Sequence, residues 1–121
     1  MIYTSYFNCK LLKEIPLDKQ IAISIGIRGW YHGKRELRLA PTRAMLKMSR
    51  VDYYANYDII LAKVDPAEIA KLYDGCVLIC WEKDPQECHR HYVAEWLKKA
   101  GYEVQELTAG SVTTAQQMFS L

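Results

Sequence analysis

The sequence predicts an α/β fold: a small Rossmann-like domain with a mostly parallel sheet flanked by helices. Short β-rich runs alternate with stretches of helical period through the second half of the chain, the pattern of strand–helix–strand units. A polar loop, Glu82 to Cys88, joins an apolar run to a helix, where such units carry their ligand loops. The length of 121 residues suits one compact core and is too short for two, so residues 1–121 are expected to form a single domain without an internal linker.

Ile2 to Phe7 reads as the first strand. Gln20 to Ile27 reads as the second, with Ile21, Ile23, Ile25 and Ile27 alternating with other residues until Gly26 and Gly29 break the pattern. Pro41 to Arg50 is expected to be helical, with Pro41 near its start and Ala44, Met45 and Met48 apolar. A helix over Tyr53 to Val64 follows, with Tyr53, Tyr57, Ile60, Leu61 and Val64 on one side. Asp65 is an N-cap and Pro66 a first-turn residue for a helix over Ala67 to Tyr73, which Gly75 closes.

Val77 to Trp81 is short, apolar and bounded by polar residues, so it reads as a buried strand. After the loop, Val93, Trp96, Leu97 and Ala100 recur at i, i+3, i+4 and i+7, predicting a helix from His89 to Gly101. Glu103 to Leu107 is expected to be the last strand. Val112, Ala115, Met118 and Phe119 then have helical spacing, so residues 111–121 read as a terminal helix that packs on its own chain or bridges a homodimer.

The formal charge of +2 is too small to argue for nucleic acid by itself. Its distribution is uneven: Arg28, His32, Lys34, Arg35, Arg38, Arg43, Lys47 and Arg50 make a basic tract that includes Trp30 and Tyr31. That tract reads either as a solvated loop and helix face or as a groove that follows a phosphate backbone while an aromatic stacks on a base. No window approaches the ~18 apolar residues of a membrane span, and the start of the chain lacks a signal-peptide pattern. A soluble, cytoplasmic protein with no membrane partner is expected. Cys9, Cys76, Cys80 and Cys88 are accordingly expected to be reduced, with Cys76 and Cys80 packing as small apolar groups and Cys88 at the helix entrance.

Ligands of open α/β sheets bind beyond the carboxyl ends of the strands, near a topological switch point. Those ends bring Ser5, Tyr6 and Asn8, then Gly26, Arg28 and Trp30, then Glu82 through Arg90 into one expected crevice. Arg90, in the first turn of a helix, would offer a forked donor to an anion where the orphan N–H groups and the macrodipole already favour one. Its alternative is an ion pair with Asp84 or Glu87. Arg28 would clamp the same anion or lie solvated. Glu82 would act as general base or hold a ribose hydroxyl, or else cap the loop. His89 would serve as acid, base or oxyanion donor, or as a plain hydrogen-bond partner.

Cys88 beside His89 at a helix N-terminus has the features that activate a thiol. Cysteine phosphatases, however, need Cys-x5-Arg, and Arg90 is only two residues on, so Cys88 is read as ligand-binding. Cys80, Cys88, His89 and His91 supply the atoms zinc prefers, but His89 and His91 diverge on a helix and no Cys-x2-Cys pair is present. Neither a metal nor a cofactor is expected. Trp81, Trp96, Tyr53 and Tyr57 read as core.

The segment Cys80-Trp81-Glu82-Lys83, Cys88-His89-Arg90, Val93-Ala94-Glu95-Trp96-Leu97 resembles the hallmark of the domain-of-unknown-function 488 family. Similar pieces upstream are Tyr3-Thr4-Ser5-Tyr6, Ile23 to Trp30, Leu39-Ala40-Pro41 and Tyr57-Asp58, so the resemblance runs from residue 2 to residue 107. It implies a Rossmann-like domain and no settled activity. Members occur in bacteria and their viruses, which adds sequestration in host–virus conflict to the options.

The function expected is binding of a phosphate-bearing ligand, a nucleotide or nucleotide-derived signal, by Ser5, Arg28, Trp30, Glu82, Cys88, His89 and Arg90. Hydrolysis is left open, with Glu82 or His89 handling the proton. The alternatives are a single-stranded nucleic-acid-binding module and a non-enzymatic sequestering protein.

Overall fold

The computed structural model describes residues 1–83 and 88–111. Asp84, Glu87 and the expected terminal helix beyond Ser111 therefore lie outside the described residues. The elements are β1 (Ile2–Tyr6), β2 (Gln20–Ala22), β3 (Lys34–Arg35), α1 (Arg50–Ala62), α2 (Pro66–Leu72), β4 (Val77–Cys80), α3 (His89–Lys99) and β5 (Val104–Glu106), with 3-10 turns between β1 and β2 and between β3 and α1. All described strand pairs are parallel, which bears out the parallel α/β sheet expected, and the strand order is β3-β2-β4-β1-β5.

β4 is the apolar centre of the sheet, paired with β1 through Tyr3–Val77 to Tyr6–Cys80 and with β2 through Gln20–Val77 to Ala22–Ile79. Strands covered on both faces need continuous apolar residues, which Val77-Leu78-Ile79-Cys80 supplies. Side chains alternate between two cores. Ile2, Ile21, Leu78 and Cys80 meet Tyr57 and Leu61 of α1, Ile69 of α2 and Val93 and Leu97 of α3. Tyr3, Ala22, Val77, Ile79 and Phe7 meet Leu12, Ile15 and Tyr31. The three helices thus cover one face, and 3-10 turns with the Tyr31 loop cover the other.

Local signals account for most boundaries. Asp65 accepts from the Ala67 N–H with Pro66 in the first turn, so α2 starts as expected. Gly75, at φ 79°, takes the left-handed turn that leads into β4. The helix expected over Pro41–Arg50 is instead a 3-10 turn, Ala44–Lys47, because Ser49 caps a new helix at Arg50 by accepting from the Asp52 N–H. The second strand stops at Ala22, not Ile27. Ile23 still donates to the Ile79 carbonyl at 2.9 Å, but Ser24 Oγ then donates to the Gly26 carbonyl at 2.5 Å and the chain turns. No described helix is long and apolar enough to cross a membrane.

The connectivity creates the crevice. From β2 the chain moves outward to β3, whereas from β4 it moves past β1 to β5. The adjacent carboxyl ends of β2 and β4 therefore send their loops in opposite directions, which is a topological switch point.

Candidate functional site

A cleft of about 700 Å³ opens at the switch point, within the range typical of small-molecule sites. Ser24, Ile25 and Gly26 after β2 form one wall, and Trp81, Glu82, Cys88 and His89 after β4 form another. Pro41, Arg43, Met45, Leu46 and Met48 around the 3-10 segment, with Arg50, Tyr53 and Tyr54 of α1, complete it. Trp81 staples the two strand-end loops together: its Nε1 donates to the Gly26 carbonyl at 2.9 Å, and its ring lies edge-on to Phe7 and beneath the Arg28 guanidinium at 4.6 Å. Trp81 remains 38% exposed and so faces the cleft, where the sequence placed it in the core. Tyr57 is core as expected, while Tyr53 and Trp96 are partly buried against it.

Beneath the cleft, the β4 end and the α3 start meet. The sulfurs of Cys80 and Cys88 are brought together here, within reach of a bond, whereas Cys9 and Cys76 stand apart. His89 is buried and packs on Tyr57. Its Nε2 donates to the Ile23 carbonyl at 2.6 Å, and its Nδ1 lies 3.9 Å from Cys88 Sγ. Burial lowers the His89 pKa to about 4, so the ring is neutral near pH 7. A neutral ring that donates through Nε2 carries its lone pair on Nδ1.

Arg90 overturns the expectation of an anion-binding arginine. It is 0% exposed and all five of its N–H groups are taken within the fold. Nε and Nη2 grip the Glu106 carboxylate, Nη1 donates to Cys80 Sγ at 3.3 Å and to the Glu82 carbonyl, and Nη2 donates to the Lys83 carbonyl at 2.8 Å. Its guanidinium also lies over the Tyr6 ring. Arg90 fixes the loop after β4 and has no donor left for a ligand.

The Cys80-to-Leu97 hallmark therefore has a structural logic: one cysteine ends β4, the other enters α3, and the following histidine and arginine lock both loops. Residues 17–97 match the family model described as Domain of unknown function DUF488. The chain belongs to the DUF488 family. No curated protein and no solved structure matches the chain.

In this DUF488 domain the expected crevice divides. Glu82, Cys88 and His89 come together at the switch-point cleft, with the Glu82 carboxylate exposed there. Ser5 is buried in β1 on the strand face that also carries Tyr3 and Phe7, away from the three helices. Trp30 is 54% exposed and lines a second cleft of about 640 Å³ with Phe7, Lys10, Leu12 and Tyr31. Arg28 lies between, with its Nε buried and unpaired among the described residues and its guanidinium on Trp81.

The basic tract also divides. Arg35 donates to the Ile25 carbonyl at 2.7 Å, and Arg38 pairs with Glu36 and Glu68, so both serve the fold. Arg43, Arg50, Tyr53 and Tyr54 were not assigned to the crevice. The sequence signals Arg43 and Arg50 only as members of the basic tract and Tyr53 only as core, and neither signal says which strand ends they face.

Proposed function

We propose that this DUF488 domain binds a phosphate-bearing ligand of the nucleotide class in the cleft between the ends of β2 and β4. The observation that carries the reading is an open cleft at a switch point that combines arginines with aromatic walls. Arg43 offers a forked donor to phosphate, and the first turn of α3 adds N–H groups that no cap side chain occupies. Trp81 and Tyr54 offer faces for a base, and the exposed Glu82 suits a ribose hydroxyl or a water proton. His89 is a poor proton carrier here, because its Nε2 is committed to Ile23 and burial lowers its pKa to about 4, which leaves Nδ1 a weak base.

The test is a panel of mono-, di- and cyclic nucleotides, read by thermal shift and product formation together on wild type, Arg43→Ala and Trp81→Ala. A shift in wild type that falls at least about tenfold in apparent affinity in both variants supports the cleft, since that fall is a loss of about 1.4 kcal/mol. Product formation would add turnover to binding. No shift with any nucleotide sinks the reading.

A further inference from the structure

We propose that the reduced protein holds one thiophilic divalent cation of the zinc class on Cys80 Sγ, Cys88 Sγ and His89 Nδ1. The three ligand atoms lie within 4.8 Å of one another and all three residues are buried. They converge because the end of β4 and the first residue of α3 abut, which no spacing rule captures. His91, the ligand suggested by counting along the chain, is outside this group.

The surroundings are those of a ligand set. A metal-binding imidazole ordinarily donates its other N–H to a carbonyl or carboxylate, which fixes the ring and leaves one lone pair for the ion. His89 has that arrangement, with Nε2 on the Ile23 carbonyl and Nδ1 turned to the sulfur of Cys88. Each sulfur lies beside positive charge within the fold. Arg90 Nη1 donates to Cys80 Sγ at 3.3 Å, and Cys88 is the N-cap of α3, whose backbone carries partial positive charge. Two thiolates and a neutral imidazole are the donors zinc takes, and three protein ligands leave a fourth position. Cys88 and His89 line the cleft, so a cation on this group would lie at its base.

Because the two sulfurs meet, a Cys80–Cys88 disulfide and the cation are alternatives on the same pair. A dithiol reductant supplies two electrons and two protons to the Cys80–Cys88 bond and itself closes to a disulfide. Both thiol protons then leave as the cation binds. Occupancy of the site therefore reports the thiol redox state at the base of the cleft.

The experiment uses the full chain, reduced by a dithiol that is then removed without air, and titrated with Co²⁺ as the zinc surrogate. One Co²⁺ per chain is expected, with a thiolate-to-cobalt charge-transfer band and the intense visible bands of four-coordinate cobalt. Cys88→Ser should lose affinity by more than the roughly 10–100-fold that disturbing an outer partner causes, and His89→Gln should shift the visible bands. His91→Ala should bind as wild type does.

Wild type also decides the matter alone, by mass-mapped alkylation. Zn²⁺ should protect Cys80 and Cys88 and leave Cys9 reactive. Absence of the charge-transfer band in reduced wild type, equal alkylation with and without Zn²⁺, or a Cys80–Cys88 bond that resists reduction in the folded chain each overturns the proposal.

Discussion

Arg90 and Glu106 form a two-point ion pair across the α3–β5 packing: Nε lies 3.0 Å and 3.2 Å from the two carboxylate oxygens, and Nη2 lies 2.7 Å from Oε2. Thr4 Oγ1 donates to the same carboxylate at 2.6 Å, so β1, β5 and α3 share one polar joint. Removing one partner of such a pair leaves a charge in a place that water reaches poorly. Arg90→Ala is expected to cost about 3–5 kcal/mol, and Glu106→Gln an amount near the lower end because its carboxylate is partly exposed. Arg90→Lys should not rescue, since a point ammonium cannot grip two carboxylate oxygens and two loop carbonyls at once. Urea midpoints at constant m-value check this; a near-neutral Arg90→Lys would refute it.

Glu36 gives the protein an acid-sensitive element. Hydrogen bonds from Arg38, aided by one from Tyr73 Oη at 2.6 Å, hold its carboxyl below the ordinary value of 4.5 against the opposing effect of burial. The unfolded chain then binds the proton more readily than the folded one. Stability from this group is present above the ordinary carboxylate value and is lost as pH falls through the lower folded value. Thermal melts of Glu36→Gln should start less stable at neutral pH and fall less steeply on the acid side than wild type. Parallel acid limbs for the two proteins would contradict the assignment.

Tyr57 is wholly buried, and its hydroxyl donates to the Leu39 carbonyl, tying α1 to the segment that leads into the cleft wall. Tyr57→Phe keeps the ring and orphans that carbonyl, so a loss of about 1–3 kcal/mol is expected. Chemical denaturation measures it, and a change within about 0.5 kcal/mol, ordinary for a surface substitution, would show that water replaces the hydroxyl.

Gly33 has no room for a side chain. A Cβ there would overlap Tyr31 Oη, stand 2.6 Å from Tyr31 Cζ and 2.9 Å from the Gln20 carbonyl. Tyr31 cannot yield cheaply, because its buried hydroxyl sits 3.0 Å and 2.6 Å from the carbonyls of Gln20 and Lys34. Gly33→Ala should destabilise by about 1–3 kcal/mol and perturb Trp30 and Trp81 fluorescence through the shared Phe7 contact, while Gly29→Ala, which meets nothing within 4 Å, should be tolerated.

What the sequence reveals is what is encoded within a few residues. Asp65-Pro66 announces α2, the apolar run Val77 to Cys80 announces β4, and the 3.6-residue period after Cys88 announces α3. β3 was invisible because two basic residues carry no strand pattern; they pair only because Tyr31 and Glu36 anchor the loop on either side. Of the site, Glu82, Cys88 and His89 were legible as strand-end residues. Arg90 was misread because its partner Glu106 lies on another strand, and local pattern gives no sign of a carboxylate that arrives only when β5 pairs with β1. Cys80 and Cys88 were read separately for the same reason.

The sheet ends on one side in β3, two residues long, with Lys34 and Arg35 both exposed. A second copy approaching that border edge to edge would find almost no free backbone to register on and would set cation against cation. The protein thereby discourages runaway strand addition at the margin nearest its cleft. Strand addition at that margin therefore has little to build on.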